Sequence, residues 1–180
     1  VATIGFFDGV HMGHRYLIQQ VKEIAAAKGL RSALVTFPVH PRKVMNAAYH
    51  PELLTTPEEK TNLLAGTGVD YCLMLDFTPD ISRLTAKEFM TQILKERYQV
   101  KYLVIGYDHR FGHNRSEGFD DYVRYGQAIG IEVIRAQAYT DDIQIDTTQS
   151  APVSSSLIRK LLHQGDVDVA ARCLGYEYFL

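Results

Sequence analysis

Apolar residues along the chain occur in short runs that alternate with stretches of helical periodicity. Five runs of four to six residues are apolar or β-branched and show little polar alternation, which is typical of strands covered on both faces. We predict these strands at Ala2–Phe7, Ser32–Phe37, Tyr71–Leu75, Lys101–Gly106 and Ile131–Arg135. Because strand and helix alternate, the sequence predicts an α/β fold, a Rossmann-like parallel sheet of about five strands with helices on both faces.

The stretches between these runs carry the signals that begin and end helices. Thr56 and Thr85 are each followed three residues later by a glutamate, the capping-box arrangement that opens a helix. Apolar stripes with helical spacing stop before a glycine at Gly29, Gly130 and Gly165, and glycine is the usual residue just beyond a helix end. Two closing helices are predicted, one from Ser154 to His163 and one from Asp166 to Cys173.

The composition is that of one globular domain with a substantial core. The 180 residues are 46% hydrophobic and 22% charged, with a formal net charge of −2. These values exclude a disordered tail, and a net charge of −2 does not indicate the basic surface that binds nucleic acid. Cys72 and Cys173 stand in no metal-binding spacing, and no apolar run approaches the length of a membrane span. We therefore expect a cytoplasmic protein without a nucleic-acid or membrane partner.

The segment after the first predicted strand carries the strongest chemical signal. It reads Gly5-Phe6-Phe7-Asp8-Gly9-Val10-His11-Met12-Gly13-His14 and leads into a helix. It is neither a Walker A loop nor a GxGxxG dinucleotide fingerprint. Its three glycines nevertheless allow close approach to an anion, a helix N-terminus follows, and two imidazoles lie three residues apart. This combination suits the charge that develops on a leaving pyrophosphate, whereas a zinc site would need a third ligand at a suitable spacing.

The same segment resembles a known family. His-x-Gly-His after the first strand is the signature of a nucleotidyltransferase superfamily, and the longer run GFFDGVHMGH is similar to the loop of the FMN adenylyltransferase domain of bacterial bifunctional riboflavin kinase/FAD synthetases. Three further segments resemble that family in the same order, namely Thr36–Pro41, Gly106–Gly112 with Arg115 and Gly118, and Val153–Arg159. The chain departs from the family in each of these segments: Pro38-Val39 stands where the family has a variable residue and then proline, His109 replaces its more common phenylalanine, and Ser156 replaces its threonine.

The resemblance implies an adenylyl transfer in which ATP and FMN give FAD and pyrophosphate. No activated nucleophile is evident, so catalysis would depend on positioning and charge stabilisation, with Mg²⁺ accompanying ATP and no protein ligand for it nominated. Catalytic roles are expected for His11, His14 and Arg159. ATP contacts are expected from Gly5, Phe7, Gly13, Asp108, Ser154, Ser155, Ser156 and Arg159. Flavin contacts are expected from His40, Pro41, Phe89, Phe111 and Arg115.

Two alternatives remain open from the sequence. The chain could adenylylate another phosphorylated acceptor, such as phosphopantetheine or a nicotinate nucleotide, or it could be a module that binds nucleotide or flavin without turnover. We treat residues 1–180 as one adenylyltransferase domain. The riboflavin kinase domain that follows it in the family is expected to be missing from this chain, so kinase activity is expected only of a longer protein.

Overall fold

Five parallel strands form the central sheet of the protein. A computed structural model describes residues 1–46, 48, 50–106, 109–113, 116–140, 143–144 and 150–178. The strands are β1 (Ala2–Ile4), β2 (Ala33–Thr36), β3 (Tyr71–Met74), β4 (Tyr102–Ile105) and β5 (Glu132–Arg135). They lie in the order β3-β2-β1-β4-β5, and every neighbouring pair is parallel. The predicted five-stranded parallel sheet is confirmed, with each strand shorter than its apolar run.

Helices connect the strands and cover the sheet. The longer ones are α1 (Met12–Lys28), α3 (Pro57–Ala65), α6 (Phe119–Ile129), α7 (Ser155–Gln164) and α8 (Val167–Leu174). Both predicted capping boxes are present, at Thr56 and Thr85. The three predicted glycine stops all have positive φ, with Gly29 at +64°, Gly130 at +74° and Gly165 at +81°, the left-handed conformation in which glycine avoids a side-chain clash.

Alternate residues of the strands face two different layers of helices. Ile4, Val35 and Ile105 belong to a core cluster that includes residues 86–94 and Tyr122 of α6. On the other face, Leu34 and Val104 pack with residues of α1 and α3. The predicted coverage of both faces is therefore confirmed, which explains why the strands read as continuous apolar runs.

Several short elements have no counterpart in the predicted pattern. Two of them are five-residue helices, α2 (Pro41–Met45) and α4 (Pro79–Arg83). The others are two antiparallel strands of two residues each, β6 (Ile143–Gln144) and β7 (Ser150–Ala151). The helix that starts at the Thr85 capping box is α-helical only over α5 (Ala86–Glu88) and continues as a π-helix, Phe89–Arg97.

The strand order creates a crevice at the carboxyl end of the sheet. From β1 the chain moves outward through β2 to β3, then returns to the other side of β1 to form β4. β1 and β4 are joined through the registered pair Ala2 with Leu103. In open α/β sheets, ligands bind at such a reversal of strand order.

Candidate active site

A cavity of about 980 Å³ occupies this crevice. It is lined by the segment after β1, by Gly106 and His109 after β4, by residues 136–139 after β5, and by residues 50–53 and 152–156. Ten of the sequence-predicted site residues line it together: Gly5, Phe7, His11, Gly13, His14, His40, Ser154, Ser155, Ser156 and Arg159. The volume is at the upper end of what small-molecule sites provide.

The loop after β1 has an unusual backbone. Phe7 has φ of +56° and Val10 has φ of +37°, on either side of Gly9 at +76°. Such conformations are costly for residues other than glycine and persist where surrounding contacts hold them, often at functional sites. This backbone conformation places the Phe7 ring over Gly5, so that a Cβ added to Gly5 would lie 2.8 Å from the ring. Gly5 is therefore required by packing as well as by its place in the cavity wall.

His11 and His14 form a stacked pair of rings at the start of α1. Their ring centroids are 3.6 Å apart and the planes differ by 18°, while Phe7 meets His14 edge-on at 5.2 Å. His11 is the N-cap of α1, and its Nδ1 accepts the backbone N–H of His14 at 3.3 Å. Because Nδ1 is an acceptor, a neutral His11 must carry its proton on Nε2. The expected proximity of the two imidazoles is therefore present as a direct stack.

Both imidazoles are uncharged near neutral pH. Burial lowers the pKa of His11 to about 4. The pKa of His14 is lowered well below its ordinary value by burial and then by the charges that His11 and His109 would carry. His14 Nδ1 is shielded from solvent and has no hydrogen-bond partner among the residues that the structure describes. Each neutral ring therefore has one N–H group to donate to a ligand and carries no positive charge.

Asp8 is a buried carboxylate at the centre of this loop, and it was assigned no role from the sequence. Its Oδ1 accepts the backbone N–H groups of Leu54 at 2.9 Å and Thr55 at 3.2 Å. Its Oδ2 pairs with Nη1 of Arg159 at 2.8 Å. Burial raises the pKa of Asp8, although the Leu54 N–H and then Arg159 oppose this rise. One carboxylate thus joins the loop after β1, the segment before α3, and α7.

The N-terminus of α7 reaches the same loop. Ser154 is the N-cap, and its hydroxyl accepts the N–H of Leu157 at 3.2 Å. The hydroxyl of Ser155 donates to the Asp8 carbonyl at 3.0 Å, whereas Ser156 is exposed at the cavity wall. The hydroxyls of Ser154 and Ser155 therefore already have hydrogen-bond partners within the protein. The first turn of a helix also has backbone N–H groups without intrahelical partners and carries the positive end of the helix dipole.

The loop after β2 contributes His40 through its contact with Phe6. The centroids of the two rings are 4.7 Å apart. His40 is also the N-cap of α2, and its Nδ1 accepts the backbone N–H of Arg42. Lys60, another residue that sequence reasoning missed, is buried beneath them. Its Nζ donates to the Phe37 carbonyl at 2.7 Å and lies 3.9 Å from the centre of the Phe6 ring. Burial lowers the pKa of Lys60 to about 8.

The remaining predicted flavin residues lie outside the cavity wall or outside the described ranges. Pro41 is the first residue of α2 and does not line the cavity. Phe89 is buried in the core, and its ring centroid lies 5.7 Å from that of Phe111. The Phe111 ring stacks on the Tyr122 ring with 4.4 Å between the centroids. Asp108 and Arg115 lie outside the residues that the structure describes. Flavin contact by these residues stays a prediction.

Three residues that sequence reasoning did not assign also face the cavity. Gln137 and Tyr139 follow β5, and His109 follows β4. The signal that could have identified the first two is their position, since they come directly after a buried parallel strand at the carboxyl edge of the sheet. Asp8 could have been found as an acidic residue within an otherwise apolar and glycine-rich segment, while Lys60 carries no comparable signal because its helix is rich in polar residues.

Metal ligation by side chains finds no support in the described part of the chain. There, no group of three or more His, Cys, Asp or Glu side chains is placed to hold a metal ion. Asp8, on the same loop as the histidine pair, has its oxygens occupied by Arg159 and two backbone N–H groups.

Comparison with known proteins gives consistent matches. Residues 1–151 match the FAD synthetase family. The bifunctional riboflavin kinase/FMN adenylyltransferase of Listeria monocytogenes is 34% identical over 179 residues, which cover 99% of this chain and 54% of that protein. Its counterpart in Escherichia coli K12 is 32% identical over 178 residues, covering 99% and 55%. A counterpart in Pseudomonas fluorescens is 35% identical, with the same two coverages.

A solved structure described as a macrolide-efflux protein from Streptococcus pneumoniae is also similar. It has a TM-score of 0.81 and 28% sequence identity, and the match covers 98% of this chain and 55% of that one. None of the described helices here combines the length and apolar character needed to cross a membrane. The chain spans about half the length of the curated relatives it matches. Their alignments extend over α7 and Arg159, beyond the end of the family match at residue 151.

Proposed function

Because the chain belongs to the FAD synthetase family, we propose that it transfers the adenylyl group of ATP to FMN, forming FAD and pyrophosphate. The observation that carries the proposal is that the family match includes the whole segment bearing the stacked histidines, and that this segment forms the wall of a 980 Å³ cavity. ATP and FMN are accordingly the proposed partners.

In the proposed reaction a terminal phosphate oxygen of FMN attacks the α-phosphorus of ATP in line. The bond from that phosphorus to the oxygen bridging to the β-phosphate breaks, and pyrophosphate leaves with the electron pair. Negative charge grows on the leaving group, so the protein's task is to hold the phosphates in line and stabilise that charge. No covalent enzyme intermediate is needed.

The groups that would perform this task converge from two sides of the cavity. The N-terminus of α1, with Gly13 in its first turn, and the N-terminus of α7, with Ser154 to Ser156, both border it. Helix N-termini bind phosphate through free N–H groups and the positive end of the helix dipole. His11 and His14 add neutral N–H donors, and Arg159 adds a permanent positive charge. We assign the catalytic role to these three side chains.

The nucleoside and the flavin occupy different parts of the cavity in this proposal. Gly5, Phe7 and Asp108 are assigned to ATP and His40 to the flavin, while flavin contact by Pro41, Phe89, Phe111 and Arg115 stays a prediction. Support on the flavin side comes from His40, which lines the cavity beside the ring of Phe6. Magnesium enters as part of the ATP substrate, where it neutralises phosphate charge.

The test is FAD formation by the purified chain supplied with FMN, ATP and Mg²⁺. We expect the wild-type chain to form FAD, and His14→Ala to lower kcat/KM by at least about tenfold, equivalent to roughly 1.4 kcal/mol. His113→Ala is the matched control, because His113 is exposed and does not line the cavity. Circular dichroism establishes that each variant is folded.

The same assay separates the alternatives. Replacing FMN by phosphopantetheine or nicotinate mononucleotide should abolish pyrophosphate release, and release with either compound but not with FMN would assign a different acceptor. Tight binding of ATP or FMN without any pyrophosphate release would instead identify a non-catalytic module. A loss smaller than tenfold in His14→Ala would remove the role given to His14.

A further inference from the structure

Arg159 is held by the protein through one of its three nitrogens. Its Nη1 pairs with Oδ2 of Asp8 at 2.8 Å and donates to the carbonyl of Glu52 at 3.3 Å. Within the described residues, neither Nη2 nor Nε has a protein partner. The side chain is 30% exposed and lines the cavity. Three N–H groups of the guanidinium are therefore left for a ligand, in the planar arrangement that matches phosphate oxygens.

The two carboxylate oxygens of Asp8 have different hydrogen-bond partners. Oδ1 is bonded by the N–H groups of Leu54 and Thr55 and by the Thr55 hydroxyl at 3.4 Å, whereas Oδ2 faces Arg159. The Asp8 side chain is only 7% exposed. An ionised carboxylate at such a site needs partners for both oxygens, and removing one partner leaves the other charge uncompensated.

The surroundings of Asp8 make the loop itself independent of the ion pair. Gly9 N–H donates to the Thr55 hydroxyl at 3.2 Å, and its carbonyl accepts the Tyr176 hydroxyl at 2.8 Å. Ser155 donates to the Asp8 carbonyl at 3.0 Å. Together with the Oδ1 bonds, these contacts fix the backbone around Asp8. The contact through Oδ2 is made to the guanidinium of Arg159.

We propose that Asp8 is a positioning residue for the adenylyl transfer, which holds Arg159 by Nη1 so that Nη2 and Nε are presented to the phosphates of ATP. The proposal rests on the proposed function for its substrate. Asp8 does not donate to the nucleotide, and its effect on ATP passes entirely through Arg159. The pair also lowers the entropy lost on binding, because the guanidinium is already oriented before the nucleotide arrives.

The experiment is a double-mutant cycle on MgATP binding, measured by calorimetry without FMN. Asp8→Asn is nearly isosteric and retains an oxygen for the Leu54 and Thr55 N–H groups, while it replaces the acceptor for Arg159 with an amide. We expect Asp8→Asn and Arg159→Met each to weaken MgATP binding by about tenfold. The double variant should bind within about twofold of Arg159→Met alone, since residues acting as a unit are not additive.

Asp70→Asn is the matched control. Asp70 also pairs with an arginine, Arg31, at 3.0 Å and accepts a backbone N–H, that of Ser32, at 2.8 Å. It precedes β3, at the end of the sheet away from the cavity, so the same chemical change there should leave MgATP affinity unchanged. Wild-type affinity in Asp8→Asn, or a double variant weakened by the product of the two single effects, would overturn the proposal.

Two further measurements keep the outcome clear. In the FAD assay, Asp8→Asn should raise KM for ATP and leave KM for FMN unchanged, whereas a collapsed loop would raise both and would contradict a positioning role. If Asp8→Asn does not fold, Arg159→Ala provides the test. Added guanidinium ion should restore MgATP affinity to that variant and tetramethylammonium should not, and equal effects of the two ions would refute the proposal. Because MgATP binding is measured without turnover, a failure of FAD formation is distinguished from a failure of this inference.

Discussion

At the scale of the residue, burial moves the pKa values of two side chains near the cavity away from those usual for their residue types. Histidine ordinarily titrates near neutrality, yet His11 is 6% exposed and burial brings its pKa to about 4. Lys60 is 2% exposed, with its pKa lowered to about 8. These shifts follow from taking a charge out of water. They cannot be read from the sequence, because burial is set by residues far away along the chain.

The lowered pKa of His11 makes stability depend on acidity. Between pH 6.5 and about 4 the unfolded chain binds a proton at His11 that the folded chain does not. The free energy of unfolding therefore falls as the pH is lowered through this range and changes no further at this residue below about 4. The contribution is about 3 kcal/mol at most, and His14 acts in the same direction.

His11→Asn isolates this contribution. Asparagine can accept the His14 N–H as an N-cap but does not titrate. We expect urea unfolding of the ligand-free chain to show a shallower loss of stability in this variant than in the wild type from pH 6.5 to 4. Parallel curves for the two proteins would contradict the burial of an uncharged His11.

Much of the site was predictable at this scale, since ten of the predicted residues line one cavity. Glycine spacing and the histidine pair indicated the loop after β1, whereas the resemblance to the adenylyltransferase family supplied His40, the serines at the start of α7 and Arg159. The sequence could not indicate which serine hydroxyl is already bonded, nor that Arg159 is paired with a residue 151 positions away. Such contacts depend on the packing of α7 against the loop after β1, which no local pattern encodes.

At the scale of the element, side-chain periodicity predicted which segments are helices and strands better than it predicted their form. The capping box at Thr85 located a helix start, but the apolar spacing of Phe89, Met90 and Ile93 did not reveal a π-helix, since that depends on the register of backbone hydrogen bonds. The five-residue helices and the two-residue hairpin are too short to carry a periodic signal. Strand ends were extended too far because apolar loop residues, such as Phe6 and Phe7, continue the run.

The start of α5 is also where the loop after β4 is anchored. Gly112 has φ of +92°, and a Cβ there would lie 2.6 Å from the backbone nitrogen of Ala86. We expect Gly112→Ala to lower the free energy of unfolding by about 3 kcal/mol, from backbone strain and overpacking together. Gly118→Ala, in the same loop, meets no atom within 4 Å and should change stability by less than about 0.5 kcal/mol. Chemical denaturation of both variants tests the difference, and equal stabilities would contradict this packing.

At the scale of the whole molecule, the cavity wall is assembled from segments spread over most of the chain. The segments lie near residues 5–14, 50–53, 136–139 and 152–159, and they belong to elements on both sides of the strand reversal. A ligand that contacts several of them binds the folded state and has no comparable site on the unfolded chain. Ligand binding is therefore expected to raise the free energy of unfolding of the entire domain.

We expect MgATP at ten times its dissociation constant to raise the free energy of unfolding by about 1.4 kcal/mol. The measurement is a thermal or urea transition with MgATP, compared with the same concentration of MgCl₂ alone. A rise with MgCl₂ of equal size would show that the effect belongs to the ion. Arg159→Met should reduce the rise, because it removes a proposed phosphate contact without altering the sheet.

The central position of β1 has a consequence for the order in which the molecule is made. β1 pairs with β2 about thirty residues later and with β4 about a hundred residues later, through Ala2–Ala33 and Ala2–Leu103. A ribosome that delivers the chain from its N-terminus therefore releases a three-stranded half-sheet whose β1 edge stays open until β4 emerges. Arg159 lies 151 residues after Asp8, so Asp8 is made well before its counter-ion. The crevice is complete only once α7 has emerged, because Ser154 to Ser156 and Arg159 line it, so no nascent fragment ending before α7 contains it whole.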